Sequence, residues 1–156
     1  MTFKQFLIPF CISLSLLVIL GCGGSSDPRH KDLVPASGTV FYKGEPIGGA
    51  TIIFHHEDSS KQGGSTMSEE NGTFTLRTFA GLGTYPGNYT VTVSKDKVTY
   101  SISEEEIARL EQEGKDVPSP TVESLLPRKY RTKTTSDLKF TIPEKGDKEL
   151  KIELTD

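Results

Sequence analysis

Three hydropathy patterns follow one another along the chain. Phe6 to Leu20 is a predominantly apolar run of about fifteen residues, preceded by Lys4. Gly23 to Pro35 is rich in Gly, Ser, Asp, Pro and Lys, with one apolar pair, Leu33-Val34. From Ser37 onward, short runs alternate between apolar and polar positions. Gly38-Val40-Tyr42 alternate with Thr39-Phe41-Lys43, Ile52 and Phe54 with Thr51, Ile53 and His55, and Phe74 and Leu76 with Thr73, Thr75 and Arg77. The clearest run sets Tyr89-Val91-Val93 against Thr90-Thr92-Ser94, and Leu138-Phe140-Ile142 and Leu150-Ile152-Leu154 complete the set. Successive strand side chains point to opposite faces, so this period of two predicts antiparallel strands with one buried and one wet side. It places Val91 in a core and Thr92 towards water.

The punctuation agrees. Lys43-Gly44-Glu45-Pro46 and Gly48-Gly49 separate the first two runs, Pro86-Gly87 precedes the fifth, and Lys145-Gly146-Asp147 joins the last two. Asn71-Gly72 predicts a type I′ hairpin turn, entered by a weaker run from Gly64 to Ser68. The result is a seven-stranded antiparallel β-sandwich over residues 36–156. One stretch, about 96–123, departs from the rhythm and predicts a short helical insertion. Ser103-Glu104-Glu105-Glu106 reads as a capping box, Glu105 and Arg109 as an i,i+4 pair, and Gly114 as the helix stop. Only Ile107 and Leu110 offer that helix apolar anchors, so it adds little to a core.

The N-terminal pattern fixes an expected address. The apolar run is the length of a signal-peptide core and shorter than the ~20 residues of a membrane-spanning helix. It ends in Ile19-Leu20-Gly21-Cys22, which resembles a bacterial lipobox with Ile19 in the place of the usual Leu. The resemblance implies cleavage after residue 21, acylation of Cys22 with palmitate-type chains, a flexible tether over 22–35, and a location in the cell envelope, anchored to a membrane by lipid. Cys11 falls in the discarded segment, so the mature domain would have no thiol for a disulfide, a zinc site or nucleophilic catalysis. A formal net charge of −3, with no basic cluster in the sequence, argues against nucleic acid and against a polybasic membrane contact.

Four pieces in this order resemble the carboxypeptidase regulatory-like domain, a transthyretin-like sandwich of bacterial lipoproteins. They are Ser37-Gly38-Thr39-Val40-Phe41-Tyr42-Lys43-Gly44-Glu45-Pro46-Ile47 with Gly49 to Phe54; Glu70-Asn71-Gly72-Thr73-Phe74-Thr75-Leu76; Pro86-Gly87-Asn88-Tyr89-Thr90-Val91-Thr92-Val93; and Leu126-Pro127-Arg128-Lys129-Tyr130 with Thr135 to Leu138 and the closing strand. The resemblance implies a fold more than an activity. The same residues have local roles: Gly38 for a close backbone approach, Tyr89 for a tyrosine corner, and Pro127 to Tyr130 for a return over a sheet edge.

Candidate chemistry is sparse. His55-His56-Glu57-Asp58 is the densest set of possible ligands, but adjacent strand residues face opposite ways and cannot share an ion. Glu69-Glu70-Asn71 lacks EF-hand spacing. There is no Gly-x-Ser-x-Gly elbow. The end Glu153-Leu154-Thr155-Asp156 does not match the Tyr-Arg-Gly-Ser end of transthyretin-like hydroxyisourate hydrolases. The sequons at Asn71 and Asn88 coincide with a turn and a strand start. Phe41, Phe79, Tyr85, Tyr100 and Tyr130 are candidates for a sugar-stacking platform. The expectation is a non-enzymatic module without catalytic residues, metal or cofactor, bound to another envelope protein or a surface polymer. A carbohydrate-binding module is the alternative and a cryptic hydrolase the more distant one.

Overall fold

The computed structural model describes residues 32–156. The expected signal segment 1–21, the expected acylation site Cys22 and most of the expected tether 22–35 lie outside these residues. The described chain is an all-β sandwich with one α-helix. Its strands are β1 (Ala36–Tyr42), β2 (Glu45–Pro46), β3 (Thr51–His56), β4 (Gly64–Met67), β5 (Thr73–Thr75), β6 (Arg77–Thr78), β7 (Gly81–Leu82), β8 (Gly87–Ser94), β9 (Asp96–Thr99), β10 (Thr121–Ser124), β11 (Lys139–Ile142) and β12 (Asp147–Leu154). The helix is α1 (Glu104–Gln112). In one sheet β1 lies between β12 on one side and β2 and β5 on the other; the second sheet runs β11-β8-β3-β4-β6-β7. Six of the seven expected runs are single strands; the run from Thr73 to Arg77 breaks at Leu76 into β5 in one sheet and β6 in the other, and the short β2 and β7 add to the set.

The core lies between the two sheets. Val40, Phe74, Leu150, Ile152 and Leu154 face Ile52, Phe54, Tyr89, Val91, Val93 and Ile142, all of them buried. Phe54 sits at its centre, with ring centroids 6.3 Å from Phe74, 5.7 Å from Tyr89 and 5.9 Å from Phe140. The tyrosine corner is present: the Tyr89 hydroxyl donates to the Tyr85 carbonyl at 2.6 Å and shares a 3.0 Å hydrogen bond with the Thr84 hydroxyl. Gly38 is a close approach to β12, because a Cβ there would lie 1.9 Å from the Leu150 carbonyl oxygen.

Three local expectations are corrected. First, β1 and β12 pair in parallel, Val40 opposite Ile152 and Tyr42 opposite Leu154, so the sandwich is not antiparallel throughout. Alternation reports which face is buried; it carries no information about the direction of the neighbouring strand. Second, the Asn71-Gly72 turn is not type I′. Gly72 has φ +80° while Asn71 is not among the positive-φ residues. Gly72 N–H donates to the Glu69 carbonyl and Glu69 N–H to that of Thr73, both at 2.8 Å, which is a type I turn closed by a glycine bulge. It carries the chain from β4 in one sheet to β5 in the other. Third, Thr90 and Thr92 do not face water. β8 is an inner strand with both faces covered, and the two threonines are buried against Lys139 and His55.

The parallel pair gives the molecule two distinct poles. Val34, within the segment expected to be a flexible tether, instead pairs with Thr84 and packs on the core just before β1, so the chain enters the sandwich where β8 is about to begin. β8 then runs away from that pole, and its last residue, Ser94, is paired with Thr51 at the start of β3. The ends of β1 and β12 share this far pole with Tyr130, whose hydroxyl donates to the Thr155 carbonyl and accepts from the Thr155 N–H, both at 3.1 Å.

Candidate functional site

From the far pole the insertion leaves the sandwich as an arm. β9 and β10 form a two-stranded antiparallel ribbon of their own, with Val98 opposite Val122 and Asp96 opposite Ser124. Period two puts these four residues on one ribbon face. At the base the Arg131 guanidinium donates to the Asp96 carboxylate, and also to the Ser124 hydroxyl at 3.2 Å. Leu125 N–H donates to the Lys95 carbonyl at 2.8 Å, closing the neck. Val98 and Val122 are 54% and 56% exposed, and Tyr100 and Leu125 are exposed beside them.

The outer part of the arm carries α1, which has no buried residue. The Ser103 hydroxyl accepts from Glu106 N–H at 3.3 Å, the expected N-cap. Glu106 does not reach back to complete the capping box; its carboxylate takes Arg109 at 2.5 Å, and Arg109 lies 3.9 Å from Glu113. The expected Glu105–Arg109 pair is therefore replaced. Gly114 N–H donates to the Glu111 carbonyl and Lys115 N–H to that of Leu110, the paired bonds of a Schellman ending. Ile107 and Leu110 are only half-buried and are not part of the core.

A second feature is a cleft of about 470 Å³ on the outer face of the six-stranded sheet, lined by His55, Lys61, Ser65, Arg77, Phe79 and Lys133 among others. The His pair behaves as the alternation requires. His56 points inward, accepting from Asp58 N–H at Nδ1 (2.9 Å) and donating from Nε2 to the Pro86 carbonyl (3.2 Å), with its ring centroid 4.7 Å from Tyr89. His55 points outward, with Nε2 3.0 Å from the Thr92 hydroxyl. Burial lowers the His55 pKa, and the nearby Lys133 charge adds to that. Among the described residues no group of three or more His, Cys, Asp or Glu is placed to hold a metal ion. Glu69-Glu70-Asn71 belongs to its turn, where Asn71 Oδ1 accepts from the N–H and hydroxyl of Thr73 at 3.0 and 2.7 Å.

The five candidate sugar-stacking aromatics do not converge. Tyr130 is 2% exposed and committed to the core. Phe41 lies on the outer face of the β1 sheet beneath Lys151 Nζ, Phe79 at the cleft, Tyr100 on the arm, and Tyr85 in a groove with Val34 at the pole where the chain enters the sandwich. The gathering of Lys61, Arg77 and Lys133 escaped sequence reasoning, because these residues come from three separate loops and strands with no local spacing to announce them.

No family model matches the sequence, and no curated protein matches it. Among solved structures the chain is similar to a 9R-lipoxygenase from Cyanothece PCC8801, at 10% identity and a TM-score of 0.35. The match covers 81% of this chain and 16% of that one. No helix of the described residues is long and apolar enough to cross a membrane.

Proposed function

We propose that this chain is a non-enzymatic, lipid-anchored module of the cell envelope that holds its arm out to a protein partner. The observation that supports the reading is the arm itself. A helix without a buried residue, on a ribbon that exposes a directly opposed Val98–Val122 pair, adds little to the stability of the sandwich. Apolar side chains left in water are a cost that contact with a partner would recover, and the open edges of a two-stranded ribbon suit the addition of a partner strand. The arm leaves the pole opposite the tether, so acylation at Cys22 would direct it away from the membrane. The order of the four sequence pieces behind a lipobox supports a carboxypeptidase regulatory-like, transthyretin-like classification.

Two measurements test the reading. Metabolic labelling with a clickable fatty acid is expected to mark the parent and not Cys22→Ser; undiminished labelling of the variant would remove the anchor. A photoreactive residue in place of Val122 is expected to give a discrete cross-linked species in intact cells, and one in place of Glu149 on the sandwich is not. Equal adducts from both positions, or none, would sink the arm as the contact element.

A further inference from the structure

The outer-face cleft concentrates charge of one sign. Strand register places Ile53, Ser65 and Arg77 side by side across β3, β4 and β6. Lys61 joins them from the β3–β4 loop, Lys133 from the loop before β11, and Phe79 from the β6–β7 turn. No carboxylate lines the cleft. Among the described residues none of Lys61, Arg77 and Lys133 makes an ion pair. The carboxylate that senses Lys61, Asp58, is turned to Ser60, accepting from its N–H at 2.9 Å and its hydroxyl at 2.7 Å. A concavity lined by unpaired charge of one sign focuses its field and attracts the opposite charge.

Two further observations narrow the class of anion. Phe79 is 97% exposed, and Ile53, in the same cleft, is 37% exposed. An inorganic anion has no use for either, whereas a sugar ring stacks its C–H face on an aromatic side chain. Gln62, Ser65 and Thr78 supply neutral hydrogen-bonding groups around them. The volume lies within the range of small-molecule sites. The cations line a hollow, which favours a ligand that enters over a surface that lies flat.

We infer that this cleft binds an acidic saccharide, its ring against Phe79 and its carboxylate taken by Arg77 with Lys61 and Lys133. Arginine is suited to the role because its planar fork donates two parallel hydrogen bonds to a carboxylate. The site is separate from the arm and from the lipid, and it goes beyond the reading proposed above.

Calorimetric titration of the full chain in detergent micelles with tetragalacturonate tests the inference. The acid is expected to bind, its methyl ester about tenfold more weakly, and Arg77→Ala and Phe79→Ala each about fivefold more weakly at an unchanged melting temperature. No binding, equal binding of the ester, or variants that bind like the parent would overturn it. So would inorganic phosphate binding as well as the tetramer, which would mark a simple anion site. Binding of soluble dihexanoyl phosphatidylglycerol with no response to the tetramer would assign the cleft to a lipid headgroup instead.

Discussion

Tyr89 is held at both ends, its ring among Phe54 and His56 and its hydroxyl between Thr84 and the Tyr85 carbonyl. Tyr89→Phe keeps the packing and leaves those polar groups short of a partner, so it is expected to cost about 1–2 kcal/mol in denaturant melts. On β8 the inner and outer positions separate by mechanism. Val91→Ala opens a cavity and is expected to cost about 2–3 kcal/mol. Thr92→Ala removes one hydroxyl from His55 and is expected to cost about 1 kcal/mol; equal losses would show that packing and hydrogen bonding are not divided between the faces in this way. His55 gives a pH dependence of definite sign. Its folded pKa lies below the ordinary 6.5, so its contribution to stability is complete above that value and is lost as pH falls through the folded pKa. Between pH 8 and 5 the parent is therefore expected to lose more stability than His55→Gln, and matching profiles would remove His55 as the source.

At the scale of elements, the strands were legible because each has one face against a core, and burial writes itself into sequence with a period of two. Tyr89 and Gly38 were legible for a similar reason: each has a residue type that suits its local geometry. The direction of β12 and the covered outer face of β8 were not, since both depend on which strand lies alongside. The helix was legible from its cap, while its ion pair was not, because Glu105 and Glu106 both lie within reach of Arg109 and only geometry chooses. The cleft was illegible altogether, being made by register between strands remote in sequence. The arm yields the prediction that belongs to this scale. Replacing Lys97 to Val122 with a short Gly/Ser connector removes a helix without buried residues and changes loop-closure entropy only slowly with length. The shortened chain is expected to melt cooperatively within a few degrees of the parent. A chain that no longer folds would show that the arm is part of the core.

For the whole molecule, the parallel pairing of the first and last long strands has a consequence in time. β1 is made well before β12: Val40 can bond to Ile47 and Gly72 on one flank, but its other flank has no neighbour until Ile152 has been made. Truncation after Gly146 is accordingly expected to abolish the cooperative melt, since it strips one whole flank of β1; a truncated chain that still melts sharply would show that β2 and β5 suffice. Contacts so distant along the chain must meet a large loop-closure cost before any of them is rewarded, which places folding towards the slow, millisecond-to-second end of the range for small domains. A nascent chain therefore cannot complete the sheet around β1 before β12 has been made. Until then one flank of β1 keeps its backbone N–H and C=O groups unpaired, an exposed strand edge that another extended segment could occupy in its place.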